Sequence, residues 1–354
     1  MDILPIVERI GEAPSNALFG LITGVVFGVA AQKSRFCLRA ATVEFARRML
    51  DSSVAVWLLC FSTALVWVQG ASLLGLMRPE DARMMAVTGS WSGAIIGGLI
   101  FGAGMVLARG CSGRLLVLAA TGNLRSVVSG MIFAVVAQMS LHGWLAPTRD
   151  WLARLWMTGG GTNVNLLTAL NLPDWGGLAL GVVCAVLALL IARKAELGAK
   201  RLVFGSGVGF AVALGWVLTY NLSQVAFDPI TVTSATFTGP SANTLMFFLI
   251  PDPVLEFDIG LVPGVVIGAF AASYLSREFR WQGFEGEAMM RRSMTGAVLM
   301  GFGGMLAGGC AIGAGVTGGS IFVGTAWVAL ICMWIGAIVT DALVDQRKGQ
   351  PATV

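Results

Sequence analysis

Two cysteines that each follow a glycine are the residues whose type and spacing point most directly to chemistry. Cys111 and Cys310 end two similar glycine-rich runs, residues 97–111 and 296–310, which lie 199 positions apart in a chain of 354 residues. Seven of the fifteen positions are identical at that offset. Because glycine, alanine and leucine are common in this chain, some of these identities are expected by chance. A match between two cysteines is less readily explained by chance, because the chain has six cysteines in all. The sequence therefore predicts two copies of a thiol-bearing turn.

The residues around the first of these cysteines favour an anion. The sequence reads Arg109-Gly110-Cys111-Ser112-Gly113-Arg114, which places two guanidinium groups within three residues of a thiol. Gly110 allows the backbone to approach a ligand closely, and a helix that begins at Ser112 would present free N–H groups to an oxyanion. The alternative is that both arginines are topology signals and Cys111 is a small packing residue, and the motif alone favours the two interpretations equally.

The surroundings of the other two candidate cysteines differ. Gly309-Cys310 is followed by small apolar residues and has no charged neighbour in sequence. Cys37 lies between Arg35 and Arg39 at the end of the first apolar run, and the internal repeat places no cysteine opposite it. Symmetry therefore supports Cys310 as a partner of Cys111 more strongly than it supports Cys37.

The remaining cysteines are predicted to be packing residues with free thiols. Cys60, Cys184 and Cys332 lie inside apolar runs, and the chain has no Cys-x-x-Cys pair. A single histidine leaves too few imidazoles for a histidine-based zinc, haem or copper site. We expect no metal, no cofactor and no catalytic residue. Glu44 is expected to pair with Arg47 or Arg48, and Asp341 to lie at the membrane interface.

The composition indicates a polytopic membrane protein. The chain is 56% hydrophobic and 12% charged, with a mean hydropathy of +0.81, whereas soluble domains are about 25% charged. The net charge is +4. The basic residues lie in short clusters between apolar runs rather than in a stripe that could follow nucleic acid. No basic leader precedes the first apolar run, so that run is expected to remain in the mature protein.

Nine apolar runs are predicted to cross the lipid bilayer as helices. They are residues 17–32, 54–76, 91–108, 127–144, 176–191, 202–220, 259–275, 294–309 and 320–340.

The distribution of lysine and arginine predicts which loops are cytoplasmic, because basic residues in short loops resist translocation. Basic clusters occur within residues 33–48, 193–201 and 277–292, and residues 221–258 contain no lysine or arginine. One threading of the chain through the membrane, that is, one topology, is consistent with the charges of all of these loops. It places the N-terminus outside and the C-terminus, with Arg347 and Lys348, in the cytoplasm.

This threading predicts two inverted halves. Spans one to four (residues 1–175) would be repeated by spans six to nine (residues 201–354), with span five (residues 176–200) as the connector. An odd number of crossings separates the halves, so the two Gly-Cys turns enter from opposite directions. Inverted repeats with a substrate site between them are a recurrent plan of secondary transporters.

Four segments are too broken to span the membrane and too apolar for ordinary loops. We predict short re-entrant or interfacial helices there, because irregular backbone at membrane depth must be buried or must line a polar cavity. The segments are residues 36–50, 112–123, 233–250 and 311–319.

Three cysteine segments together resemble the YeeE/YedE family over nearly the whole chain. They are the segment around Cys37, the turn Leu107-Ala108-Arg109-Gly110-Cys111-Ser112-Gly113 and the turn Leu306-Ala307-Gly308-Gly309-Cys310-Ala311-Ile312-Gly313. The resemblance implies a bacterial inner-membrane protein with an hourglass-shaped path between inverted halves. It also implies that Cys37, Cys111 and Cys310 pass thiosulfate along that path by transient hydrogen bonds, and that a small cytoplasmic sulfur carrier of the TusA type is a partner.

The sequence therefore favours an inner-membrane permease for thiosulfate or a related sulfur oxyanion, and not an enzyme. The predicted pathway residues are Cys37, Cys111, Cys310, Arg109, Gly110, Gly309 and Ser112. Two alternatives remain at this point. One is a membrane sulfurtransferase or thiol redox protein that forms a cysteine persulfide, and the other is a passive small-anion channel.

Overall fold

A computed structural model describes residues 3–251, 253–284 and 286–346. Within these ranges the regular elements are helices, and β-structure is limited to isolated bridges such as that between Asn165 and Val323. Asp252, in the predicted outward segment, and the C-terminal Arg347 and Lys348 lie outside the described residues.

The helices follow one another along the chain in this order: α1 Leu4–Ile10, α2 Glu12–Ser34, α3 Leu38–Ala46, α4 Ser52–Leu73, α5 Arg83–Ala86, α6 Trp91–Leu107, α7 Ser112–Ala120, α8 Leu124–Leu141, α9 Ala146–Arg154, α10 Leu166–Ala169, α11 Gly176–Lys194, α12 Ala199–Val225, α13 Thr238–Phe247, α14 Phe257–Leu275, α15 Glu287–Leu306 and α16 Gly324–Thr340. Two short 3₁₀ turns, Pro79–Asp81 and Gly159–Gly161, and two π-helical segments, Ala311–Gly318 and Asp341–Asp345, complete the described elements.

The prediction of nine membrane spans is confirmed for the described part of the chain. Nine helical stretches are long and apolar enough to cross a bilayer, and each overlaps one predicted run. The boundaries differ where polar residues continue a helix. The first span begins at Glu12 rather than residue 17, and α12 is a 27-residue helix that begins at Ala199 with two basic residues in its first turn. The protein is therefore an all-α polytopic membrane protein.

Each of the four broken segments contains a short helix that follows a long one. These are α3, α7, α13 and the π-helical segment Ala311–Gly318. Whether these segments re-enter the membrane from one side stays a prediction.

Glycines allow α2 and α14 to pack with their backbones in contact. A Cβ on Gly20, Gly24 or Gly28 would overlap backbone atoms of Phe257, Leu261 and Val265 in turn. Because the contacts advance in the same direction along both helices, α2 and α14 run parallel. Small residues are the usual means of close helix packing in membranes.

The duplicated glycine runs pack against each other in the middle of the molecule. A Cβ on Gly97 would lie 2.5 Å from the nitrogen of Ala307, and one on Gly296 would fall at the corresponding nitrogen, that of Ala108. Ala307 and Ala108 are themselves equivalent at the 199-residue offset. Exchanging the two halves therefore converts each of these contacts between α6 and α15 into the other. The two helices are antiparallel.

Candidate functional site

The three candidate cysteines occupy the same kind of turn. Each lies two residues after a residue in the left-handed conformation, namely Arg35 (φ 55°), Arg109 (φ 57°) and Gly308 (φ 78°). In each turn the residue between them donates its N–H to a carbonyl five residues back in the preceding helix, which is the Schellman arrangement. The cysteine is then extended and immediately precedes a short helix.

The sequence suggested this likeness for the two Gly-Cys turns but missed it for Cys37. Phe36 donates to Ala31, as Gly110 donates to Met105 and Gly309 to Gly304. Arginine at a left-handed position carries a steric cost that glycine avoids. The residue type at position 35 therefore gives no sign of the left-handed conformation.

Cys37 and Cys111 lie together, although 74 positions separate them in the chain. Their side chains are close neighbours, and both residues are buried. The helix α7, which follows Cys111, packs near α2, the helix that precedes Cys37. The site is thus a pair of thiols rather than three equally spaced ones.

Cys37 opens on a cavity of about 270 Å³ that we call the arginine cavity. It is lined by Ser34, Arg35, Cys37, Ala40, Glu44, Ser52, Ser53, Val56, Arg109, Arg114 and Arg201.

The charge of the arginine cavity favours anions, because four arginines and a single carboxylate, that of Glu44, line it. Glu44 does not pair with Arg47 or Arg48 as the sequence suggested, but accepts hydrogen bonds from Ser53 N and Oγ at 2.9 and 2.6 Å and from Val54 N at 3.2 Å. The carboxylate therefore caps the start of α4, which has free N–H groups and no side-chain cap of its own. Arg114 Nη1 is buried and has no hydrogen-bond partner among the described residues.

A second cavity of about 340 Å³ lies beside the Cys310 turn, and we call it the hydroxyl cavity. Its walls include Thr233, Ser234, Thr236, Thr238, Thr317 and Thr325 together with Asn163 and Asn243, and its charged residues are Arg83, Arg149 and Asp258. Gly308 and Gly309 form part of the same wall. The Cys310 side chain is fully buried, and its sulfur accepts the Gly313 N–H at 3.4 Å.

The two cavities lie toward opposite ends of α2. Arg35, in the arginine cavity, follows the last residue of α2. Asp258, in the hydroxyl cavity, is two residues from Gly260, which packs on Ala17 near the start of that helix. A helix of 23 residues is about 34 Å long.

Apolar groups separate the two Gly-Cys turns. Phe237 is fully buried, and its ring lies 4.9 Å from that of Phe27. A methyl group on Gly113 would lie 3.2 Å from the Phe237 ring and 3.6 Å from Ile312. Gly113 and Ile312 are equivalent at the 199-residue offset. The turns therefore meet at an apolar contact made by Phe237, Ile312 and the backbone at Gly113.

A buried ion-pair cluster holds α3, the helix that begins beside Cys37. Arg47 pairs with Asp341 at 2.9 Å, and Asp345 pairs with Arg292 at 2.6 Å and with Arg39 at 3.7 Å. Asp341 is fully buried within the protein, and its position at the depth of the membrane interface stays a prediction. Its charge is compatible with burial because Arg47 and the amide of Gln346 both donate to it.

Asp345→Ala should lower the midpoint of thermal unfolding strongly, because it leaves the buried guanidinium of Arg39 and the partly buried one of Arg292 without this carboxylate. Breaking a buried pair from one side costs about 3–5 kcal/mol. Glu287→Ala is the matched control, since its pair with Arg291 is exposed and is worth less than about 1 kcal/mol. Thermal unfolding in detergent measures both variants, and equal midpoints would show that the cluster contributes nothing to stability.

Comparison with known proteins identifies the family. A family model described as sulphur transport matches residues 33–339, which include all three candidate cysteines. The chain belongs to the sulphur transport family. This is the YeeE/YedE family that the cysteine motifs indicated, and the chain is a transport protein rather than an enzyme.

Two curated relatives of this sulphur transport protein cover nearly its whole length. The thiosulfate transporter TsuA of Escherichia coli (strain K12) is 29% identical over 96% of this chain and 98% of its own. The thiosulfate transporter TsuA of Spirochaeta thermophila (strain ATCC 700085 / DSM 6578 / Z-1203) is 24% identical over 90% of this chain and 96% of its own.

The other cysteines of this sulphur transport protein lie apart from the paired thiols. Cys60 is buried between helices, whereas Cys184 and Cys332 are partly exposed. All six cysteines are free thiols, as the sequence predicted.

Proposed function

We propose that this protein imports thiosulfate, or a closely related sulfur oxyanion, along a path that joins the hydroxyl cavity to the arginine cavity. The observation that carries the proposal is the proximity of the buried Cys37 and Cys111 thiols at a cavity lined by arginines. The two relatives named as thiosulfate transporters support the same substrate.

The chemistry of thiols suits this substrate. A protonated thiol is a weak hydrogen-bond donor, and the terminal sulfur of thiosulfate is a soft acceptor. Weak contacts at successive sites favour passage over trapping. In the proposed relay the ion passes from Cys310 to Cys111 and then to Cys37.

The other pathway residues shape the two turns. Gly110 and Gly309 complete the Schellman turns, and Arg109 places a positive charge in the wall of the arginine cavity. Ser112 is 4% exposed, and its hydroxyl has no hydrogen-bond partner among the described residues. We assign this hydroxyl to the ion as it passes Cys111.

We place the arginine cavity on the cytoplasmic side of the bacterial inner membrane and the N-terminus in the periplasm. The basic loops support this orientation. The exchange of contacts between α6 and α15 supports inverted halves, residues 1–175 and 201–354, joined by residues 176–200. A small sulfur carrier of the TusA type is proposed to receive the ion at the cytoplasmic mouth.

Uptake of labelled thiosulfate tests the function. Cells that lack other sulfate and thiosulfate importers should accumulate the label only when they express this protein. Purified protein in liposomes should show the same uptake, and a panel of sulfur anions there gives the specificity. Comparison with and without a proton gradient separates a coupled carrier from a channel. Absence of thiosulfate flux in both systems would refute the proposal.

A further inference from the structure

Among the described residues that line the hydroxyl cavity, Asp258 carries the one carboxylate. It is the second residue of α14 and is partly buried. A Cβ on Gly239 of α13 would lie 3.9 Å from its Oδ2, so the carboxylate lies beside the first turn of that helix. The proposed path brings an anion past this carboxylate, although the two carry charge of the same sign.

Hydrogen bonds stabilise the charged form of Asp258 less than that of the buried carboxylates. Within the described part of the chain its donor is the amide of Asn243, which lies 2.9 Å from Oδ2. By contrast, Glu44 accepts three hydrogen bonds, and Asp341 and Asp345 are each paired with arginine. Because donors and cations hold a carboxylate in its charged form, Asp258 is the member of this group that is best placed to accept a proton.

The charged residues around the carboxylate compensate it only in part. Arg83 attracts it from the cavity wall without a salt bridge among the described contacts, and Glu256, two positions earlier in the chain, repels it. Arg149, the other cation of this cavity, is bound to Asp150 at 2.6 Å. The cavity therefore does not hold Asp258 ionised by a close cation.

The helices that pack against α14 add little further charge near Asp258. They are α2, α13 and α7. The ten residues of α13 include no charged side chain. In α2 the charged residues are Glu12, which accepts two backbone hydrogen bonds, and Lys33 at the far end. The charge of α7 is that of Arg114, which lines the arginine cavity.

An anion and the charge of Asp258 repel each other when both occupy this cavity of about 340 Å³. Protonation of the carboxylate removes that repulsion. The coupling between two ligands is reciprocal, so a bound anion favours protonation of Asp258 by the same factor by which protonation favours the anion. Affinity for the anion should then be highest at low pH and should fall as the pH rises and the carboxylate ionises.

We propose that Asp258 takes up a proton when the transported anion enters the hydroxyl cavity, so that loading of the cavity is linked to protons. The proton comes from solution, binds a carboxylate oxygen and converts the side chain to a neutral acid, and no other bond changes. The inference rests on the proposed function, because it concerns an anion on the proposed path.

Proton uptake on binding can be measured without any substitution. Thiosulfate is titrated into purified protein in nanodiscs by isothermal titration calorimetry in buffers of different ionisation enthalpy, and the difference in apparent enthalpy gives the number of protons bound. Uptake should pass through a maximum between about pH 5 and about pH 8 and should not exceed about one proton per anion, because one carboxylate accepts one proton. Affinity should weaken roughly tenfold over the same range.

Asp258→Asn assigns the proton to this side chain. Asparagine keeps the shape but neither the charge nor the titration, so the variant should take up no proton and should bind thiosulfate roughly tenfold more tightly than the wild type at about pH 8. General damage to the cavity would weaken binding instead. Asp228→Asn is the matched control, since Asp228 is an exposed aspartate of the same segment that lines neither cavity. It should behave as the wild type does.

A second variant gives an independent readout. Asn243→Ala removes the donor that stabilises the charged carboxylate and should move the maximum of proton uptake to higher pH. Thiosulfate binding without proton uptake throughout the range, uptake that persists in Asp258→Asn, or an unmoved maximum in Asn243→Ala would overturn the inference. Wild-type protein that binds no thiosulfate would instead overturn the proposed function, so the two failures are distinguishable.

Discussion

Gly24→Leu should yield no stably folded protein. A side chain at Gly24 would meet the backbone of α14, because a Cβ there would already lie 2.9 Å from Val265 N and 3.0 Å from the Cα of Gly264. Backbone atoms cannot turn aside as a flexible side chain can. Overpacking a core costs about 1–3 kcal/mol and occasionally more, and here the two parallel helices must separate along their whole contact. Size-exclusion chromatography in detergent should show aggregated protein.

Gly130→Leu is the matched control for this prediction. Gly130 also lies within a spanning helix, α8, but a Cβ there meets nothing within 4 Å. Leucine is the better helix former by less than about 1 kcal/mol, so this variant should elute as the wild type does. A monodisperse Gly24→Leu protein with wild-type thermal stability would show that α2 and α14 do not depend on backbone contact.

Cys111→Ala is expected to reduce thiosulfate uptake at least roughly tenfold. Its thiol is a neighbour of Cys37, which lines the arginine cavity, and alanine has no sulfur and no proton to donate at this position. A hydrogen bond to a charged group contributes about 1.5–3 kcal/mol, and because a thiol is a weak donor the lower end of that range applies, which corresponds to about one power of ten in rate. Uptake of labelled thiosulfate by liposomes of equal protein content measures the loss, and Cys37→Ala should act in the same direction.

The control for the thiol relay is Cys184→Ala, because Cys184 is partly exposed on α11, away from both cavities. Its uptake should equal that of the wild type. Cys111→Ser separates two roles, since a hydroxyl keeps a donor but lacks the soft sulfur, and intermediate uptake is expected. Full uptake by Cys111→Ala together with Cys310→Ala would refute the relay.

The spans could be predicted from the sequence, whereas the thiol pair could not. Runs of about 20 apolar residues fix membrane helices by length alone, and all nine were found. The internal repeat directed attention to Cys111 and Cys310, but it reflects duplication rather than proximity. Cys37 approaches Cys111 because α7 packs near α2, a tertiary contact that no local pattern encodes.

The burial of Asp341 could not be predicted from the sequence. An aspartate near the end of an apolar run resembles an interfacial residue, and hydrogen bonds from Arg47 and Gln346 are what make its burial possible. Arg47 lies 294 positions away in the chain, so no local pattern indicates this contact.

On the proposed path, the apolar contact at Phe237 and Ile312 has an electrical consequence. The two cavities lie toward opposite ends of α2, so most of the membrane voltage would fall across this apolar contact instead of the whole bilayer of about 30 Å. Moving a dianion through it against an inside-negative potential costs about 4.6 kcal/mol per 100 mV. The short step between the Cys310 and Cys111 turns therefore carries most of the electrical work, and steps within either cavity should be almost insensitive to voltage.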